Sequence, residues 1–516
     1  MSVKTSNSEQ EERLSALMTN STAVRAITSA VEGTIGPKGL DTMLVDKYGD
    51  VVITNDGVTI LNLMEVNHPA AKMIINMAKA QQTEIGDGTT TATILAGGLV
   101  EAGANQVLKG VPVARVIEGL RVGIRHALQT VQHLARPVND LNIPALRQIA
   151  MVAGRENSDI ADLVVEAAQM VGVTKLREKG FKLADTIIAE EGASNEVFEG
   201  VILNKEPMNK HMPQTLEGVR VLVVDDALEP EEIEDEALGT EAGFARYLKL
   251  QEEFKANLRK IPELGINLVL VDRGVSDLAE EYLTDCGIML LQRVANKELS
   301  QAAEHTGARP IKRTGLRKEL SDLSKVLGGA DRAYLDEKLE QLRILSGKGK
   351  PSATVLVGAS TSEVVGERER IAKDAASSVQ AAVLGGLVPG GGSIELAIAR
   401  EVEKVRQDTR GMTAYGVECV VEALKRPFTQ IVLNAGFNPL EKLGDVIAAQ
   451  VERQKDSLAM DCDTGEVIDM LEVGILDPAP VKIHALKAAG EVAEAILRID
   501  TIIKKRDNSE TSEVEF

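Results

Sequence analysis

Tryptophan is absent from the 516 residues, and aromatic residues in all make up only 2%. The cores must therefore be aliphatic. Cysteine is scarce too. Cys286, Cys419 and Cys462 are odd in number and fit no C-x-x-C spacing, which predicts buried thiols in a reducing cytoplasm. There is no run of 18 apolar residues and no secretory n-region or h-region, so nothing points to export or to a membrane. Positive charge is in deficit: 58 Lys and Arg face 78 Asp and Glu, a formal charge of -20. That balance argues against nucleic acid as a partner. The six histidines show no H-E-x-x-H or paired ligand spacing. The P-loop pattern G-x-x-x-x-G-K-[ST] does not occur. Residues 461–472 begin like a calcium loop, but Gly465 is fifth rather than sixth, which misplaces the sharp turn.

What the chain does have is Gly86-Asp87-Gly88-Thr89-Thr90-Thr91. Glycines that reach positive φ let backbone N–H groups curl around an anion. The threonines open an apolar helical run over residues 91–108, which aims unpaired N–H groups at the same anion. Asp87 has no neighbouring base, so a hard cation such as Mg²⁺, shared with phosphates, is its natural partner. A plain helix cap, with Asp87 or Thr89 at the N-cap, fits the same residues.

Two further glycine corners accompany it. Thr34-Ile35-Gly36-Pro37-Lys38-Gly39 follows a helical run over residues 21–32, and Pro389-Gly390-Gly391-Gly392-Ser393 opens another helix. Helical spacing of Met73, Ile74 and Met77 precedes the threonine loop, so no strand leads into it. A phosphate site between helices differs from both P-loop and Rossmann designs.

At 516 residues the chain should hold several domains. Its first part reads as mostly helical, with one hairpin: strands at 42–46 and 51–54 around a turn at 47–50. Pro137-Val138-Asn139-Asp140 marks a boundary, and a helix is predicted over 149–171. The middle changes character. Apolar runs at 219–224, 266–271 and 288–291 suit buried strands, with helical patterns at 277–283 and 297–305, an α/β module. Inside it lies an insertion at 233–264. Its entry is acidic (Glu229, Glu231, Glu232, Glu234, Asp235, Glu236), and Tyr247, Leu250, Phe254 and Leu258 then form one apolar helical stripe. Helical periodicity dominates from 362 to 503, and a polar, disordered tail is expected from 504 to 516.

These blocks together resemble the chaperonin family, in particular its thermosome-like branch with a built-in lid. The resemblance rests on TIGPKG (34–39), VITNDGVTIL (52–61), HPAAKM (68–73), GDGTTTA (86–92), ERIAKDA (369–375), GGG (390–392) and DTGEVID (463–469), in this order. Residues 149–172 look more like lidless bacterial chaperonins, and the mixture suggests the group III branch. The resemblance implies a mostly α equatorial domain with a small β hairpin (1–139 and 389–516). It implies a small α/β intermediate domain (140–206 and 352–388). It also implies an α/β apical domain (207–351) with a helical protrusion at about 233–264.

It further implies ATP/ADP and Mg²⁺ as ligands, unfolded proteins as clients, identical subunits in a stacked double ring, and a cytoplasmic location. Asp87 matches the metal ligand. Asp374 matches the residue that activates the attacking water, and Asp56, in Asn55-Asp56-Gly57, a second water-positioning carboxylate. Thr34, Ile35, Gly36, Pro37, Gly86, Gly88, Thr89, Thr90, Thr91, Gly390 and Gly391 match the nucleotide cradle, and Asp477 a ribose contact. Asn-Asp-Gly is also simply a good turn, and Asp477 before Pro478 a helix-stopping one. Where that branch carries a γ-phosphate-sensing lysine, residues 150–158 offer only Arg155. The net charge fits either plain solubility or an acidic chamber wall. Two functions follow: an ATP-driven folding chamber, or a ring scaffold or holdase that uses nucleotide as a switch without productive turnover.

Overall fold

The structure is a computed structural model that describes residues 2–49, 51–231 and 241–502; of residues 2–13 and 363 it describes the backbone alone. It falls into two compact units, Met1–Glu156 with Ser377–Phe516, and Asn157–Ala376.

The first unit is helical, and its centre is the helix Thr89–Leu108. Fourteen of its residues are buried, including Ala92, Ile94, Leu95, Leu99 and Val100, so it is apolar all round, as an enclosed helix must be. It packs against helices Ser2–Glu32, Pro69–Glu84, Thr413–Asn434 and Ala479–Leu497. The core is aliphatic, as the composition requires. Small residues allow close approach: a Cβ on Gly119 would lie 2.2 Å from the Thr413 carbonyl and 2.6 Å from Gly416 Cα. Helices Val113–Leu134 and Thr413–Asn434 therefore meet backbone to backbone.

The predicted hairpin forms, with β1 (Thr42–Val45) antiparallel to β2 (Val51–Thr54). The first helix starts well before residue 21, at Ser2. Helices dominate residues 362–497, as the periodicity predicts, with short strands between them. Three-residue strands Leu387–Pro389 and Leu476–Pro478 pair, as do Leu458–Met460 and Val467–Asp469. Such short strands carry too few residues for a period-2 signal. The disordered tail expected over 504–516 lies outside the described residues, which end at 502.

The helix expected over 149–171 is broken. Helix Pro144–Ala153 ends at Gly154, Arg155 and Glu156 follow with φ of 52° and 62°, and a new helix spans Ser158–Leu176. Apolar periodicity continues across the break and hides it, while Gly154 and Asn157 supply the stop and the start.

The second unit is built on an eight-stranded sheet. Its strands are β3 (Ile187–Glu191), β4 (Glu196–Leu203), β5 (Thr215–Val224), β6 (Leu268–Val271), β7 (Met289–Leu291), β8 (Gly328–Asp336), β9 (Gln341–Gly347) and β10 (Ala353–Ala359), in the order β3-β10-β4-β9-β8-β5-β6-β7. The β5-β6-β7 edge is parallel. Its apolar runs have a physical reason, since both faces are covered. Val221, Val223, Leu268 and Leu270 enter one cluster with helix Asn296–Thr306, whereas Leu222, Val224, Val269 and Val271 enter another with helices Glu241–Glu263 and Asp277–Asp285.

The insertion is the helix Glu241–Glu263; residues 232–240, which hold most of the predicted acidic entry, lie outside the described residues. The structure divides the expected apolar stripe. Phe254 and Leu258, with Ile261, are buried in the module's own core, and Leu250 is half-buried. Tyr247 is exposed, joined by Phe244 and Leu248, with the Phe244 and Tyr247 rings stacked 6.3 Å apart. Half the stripe is therefore an anchor and half a free tip. Among the cysteines, Cys286 is exposed, against expectation; Cys462 is half-buried, and burial pushes the Cys419 thiol up to about 12.

Candidate functional site

The threonine loop is not an ordinary side-chain cap. The N-cap of helix Thr89–Leu108 is Gly88, with φ 80°, and no side chain caps it. The first intrahelical bond runs from Ala92 N–H to Gly88 O, which leaves the Thr89, Thr90 and Thr91 amides without helical acceptors. Asp87 turns elsewhere: its Oδ1 accepts from the Gly88 amide and its Oδ2 from the Ser378 hydroxyl at 2.8 Å. Gly86, also left-handed, admits a close neighbour, because a Cβ there would lie 2.3 Å from Ser377 Oγ. Gln81, fully buried, donates to the Asp87 carbonyl at 2.7 Å and faces His484 Nδ1 at 2.6 Å.

The three glycine corners converge within the first unit. Helix Thr413–Asn434 joins two of them through residues three apart on one face. Phe428 lies under Gly392, Ile431 against Gly36, and Asn434 donates to the Glu32 and Ile35 carbonyls. Thr34 closes onto Val31 O, Gly39 N–H onto Gly36 O at 3.0 Å across Pro37, and Lys38 pairs with Asp463. Gly392 caps helix Ser393–Asp408, again left-handed and with no side-chain cap bond. Helix Ala479–Leu497 ties this corner to the threonine loop: Val481 contacts Gly88, while Lys482 reaches Asp477 at 2.8 Å. Asp477 in turn lies beside Gly390, 3.3 Å from where a Cβ would be, and Gly391 beside Met470.

Asp56 also joins the cluster. A Cβ on the next residue, Gly57, would lie 2.5 Å from Thr90 Oγ1 and 3.3 Å from Thr89 Oγ1. Its carboxylate is the N-cap of helix Gly57–Leu63, accepting from Thr59 N–H at 2.9 Å and Thr59 Oγ1 at 2.6 Å. The turn that Asp56 caps thus lies beside the threonine loop. Asp374 belongs to the second unit, on helix Ser362–Gly385, and pairs with Arg370 at 3.1 Å. The sequence reading missed Gln81, Ser378, Glu395 and Lys482. Their contacts span up to 403 positions, and each residue type looks ordinary in a helix.

Asp87 keeps part of its surface open to solvent, yet protein packed around it dominates. Burial raises its carboxyl above the ordinary range; the Ser378 bond opposes this, and the charge of Asp477 adds to it. An ionised Asp87 therefore costs the nucleotide-free protein stability, a cost present above the raised pKa and gone below the unfolded value near ~3.9. Asp87→Asn should raise the nucleotide-free melting temperature at neutral pH, and the gain should vanish in acid. Thermal melting at several pH values checks this. No group of three or more His, Cys, Asp or Glu among the described residues could cage a metal. One desolvated carboxylate in a loop that leads into three threonines fits a Mg²⁺ whose other ligands are phosphates and water.

Residues 27–507 match the TCP-1/cpn60 chaperonin family. The chain is 34% identical to a thermosome subunit of Desulfurococcus sp. (strain SY), over 94% of this chain and 91% of that protein. It is 36% identical to thermosome subunit beta of Archaeoglobus fulgidus, again over 94% and 91%.

The chain belongs to the TCP-1/cpn60 chaperonin family.

A solved structure titled as a group III chaperonin in the open state is 50% identical, covers 96% of this chain and 100% of its own, and superposes with a TM-score of 0.86. The chaperonin is ATP-dependent and an ATPase, and its homologues form oligomeric rings that bind client proteins. The helical and α/β parts expected from the resemblance are those of the chaperonin fold. No helix among the described residues is long and apolar enough to cross a membrane.

Proposed function

We propose that this chaperonin encloses unfolded proteins in a cytoplasmic double-ring chamber closed by its own protrusion, driven by binding and hydrolysis of Mg²⁺-ATP. One observation carries the reading. Three glycine corners converge in the first unit and present two helix N-termini that no side chain caps. Amides there suit phosphate oxygens by charge and direction.

In this reading the equatorial domain is 1–139 with 389–516, the intermediate domain 140–206 with 352–388, and the apical domain 207–351. Thr89, Thr90 and Thr91 hold phosphates with help from Gly86, Gly88, Gly390, Gly391 and the 34–37 corner. Asp477 takes the ribose, and Asp87 holds the metal. When bound, Mg²⁺ offsets phosphate charge as hydrolysis proceeds. Asp56 positions the attacking water and Asp374 accepts its proton. Arg370 orients the Asp374 carboxylate.

Calorimetry tests the centre of this scheme. Asp87→Ala should weaken Mg²⁺-ATP by about tenfold or more while changing metal-free ATP little. Equal losses for both forms would reduce Asp87 to a loop residue. Arg155 sits at φ 52° in the break after helix Pro144–Ala153, a conformation that costs about 1–3 kcal/mol and persists where surroundings impose it. Arg155→Ala should slow ATP-triggered ring closure, followed by stopped-flow; unchanged closure and hydrolysis would remove it from phosphate sensing.

A further inference from the structure

We propose that Lys482 is a positioning residue for the nucleotide: it fixes the Asp477 carboxylate in the orientation that receives the ribose. This rests on the reading of Asp477 as the ribose contact.

Lys482 is the fourth residue of helix Ala479–Leu497, and its ammonium lies 2.8 Å from Asp477 Oδ2 and 2.7 Å from Glu395 Oε1. The three side chains are 12%, 28% and 4% exposed, in the order Lys482, Asp477, Glu395. Exposure decides the roles. Glu395 is shut away in the first turn of helix Ser393–Asp408, and among the described residues its carboxylate meets no donor besides Lys482. It can only hold the lysine in place. Asp477 keeps the most surface toward solvent of the three. With Oδ2 taken by Lys482, Oδ1 is the oxygen left to accept from a ligand hydroxyl.

The charge of Lys482 is secure. Burial by itself would lower its pKa, but Asp477 and Glu395 outweigh burial and hold it well above the ordinary lysine range. A permanently charged donor, gripped by two carboxylates, has little freedom to swing, so neither has Asp477. Gly390 completes the seat. Its amide donates to Ile475 O at 2.9 Å, and Asp477 Oδ2 lies close to where its Cβ would be, so the backbone walls the carboxylate in. The same ammonium also offsets charge at Asp87, which Asp477 burdens. No other cation touches Asp477 among the ion pairs of the described residues.

The test compares ATP with 2′,3′-dideoxy-ATP, both with Mg²⁺, by calorimetry on the assembled full-length protein. The variants are Asp477→Ala, Glu395→Gln, and Lys482→Met combined with Glu395→Gln so that no unpaired carboxylate is left buried. The parent should prefer ATP by about tenfold, the size of one charge-assisted hydrogen bond. Asp477→Ala should abolish the preference and Glu395→Gln should keep it. The combined variant should abolish it, and adding Asp477→Ala to that variant should cost nothing more. If the combined variant keeps the preference while Asp477→Ala loses it, Lys482 does not position Asp477. A preference that survives Asp477→Ala overturns the ribose reading itself, and the role of Lys482 with it.

Discussion

Asp374→Ala should lower steady-state ATP hydrolysis by about two to four orders of magnitude, the range expected when a general base is removed, while ATP binding and ring assembly persist. In this reading the Asp374 carboxylate must be held in aim, and its neighbour holds it. It is 18% exposed, and Arg370 Nη1 lies 3.1 Å from its Oδ2. Arg370 also pairs with Glu367 at 2.7 Å, so removing Asp374 leaves that guanidinium a carboxylate partner. The fold should hold, because the Arg370–Glu367 pair remains. Melting and nucleotide affinity should match the parent, which separates a chemical role from a structural one. Hydrolysis within a few-fold of the parent would hand the role to another residue.

Excising residues 232–249, with a short Gly/Ser linker from Glu231 to Leu250, should abolish the protection of a captured client from added protease. Glu231 and Leu250 line one shallow groove with Arg313 and Arg317, so a short linker spans the gap. The cut removes the exposed tip with Phe244, Tyr247 and Leu248, and spares the anchor formed by Phe254, Leu258 and Ile261. ATP hydrolysis should continue, because no residue placed at the nucleotide site is touched. Extending the cut to Glu263 should instead collapse the α/β unit, since each buried anchor contributes roughly 2–5 kcal/mol. A tip-less protein that shields its client as well as the parent would make the protrusion mere surface.

The helical insertion shows how the sequence reading went partly astray. Spacings of three and four put Tyr247, Leu250, Phe254 and Leu258 on one face, and that is correct geometry. Periodicity reports which side chains share a face, but not how far along the helix the neighbouring domain extends. The break at Gly154 failed for a related reason: Ile149, Ile160 and Val164 are all buried, so their apolar rhythm runs on through a turn. Cys286 failed because burial follows packing, and a lone residue type carries no phase.

The sequence by itself determined the aliphatic cores, the family and the chemistry of the loops. Local order fixes these: glycine where φ is positive, threonine where a helix opens, and apolar residues at the period of the element they build. Tertiary structure alone decided that the loops meet. Phe428 and Ile431 bring Gly392 and Gly36 onto one helix face, and Val481 and Lys482 bind that corner to Gly88 and Asp477. It also decided that Glu395, an unremarkable helical acid, lies buried against Lys482. Contacts between residues hundreds of positions apart leave no periodic trace in a single chain, because each partner's identity is locally satisfied whether or not the other is there.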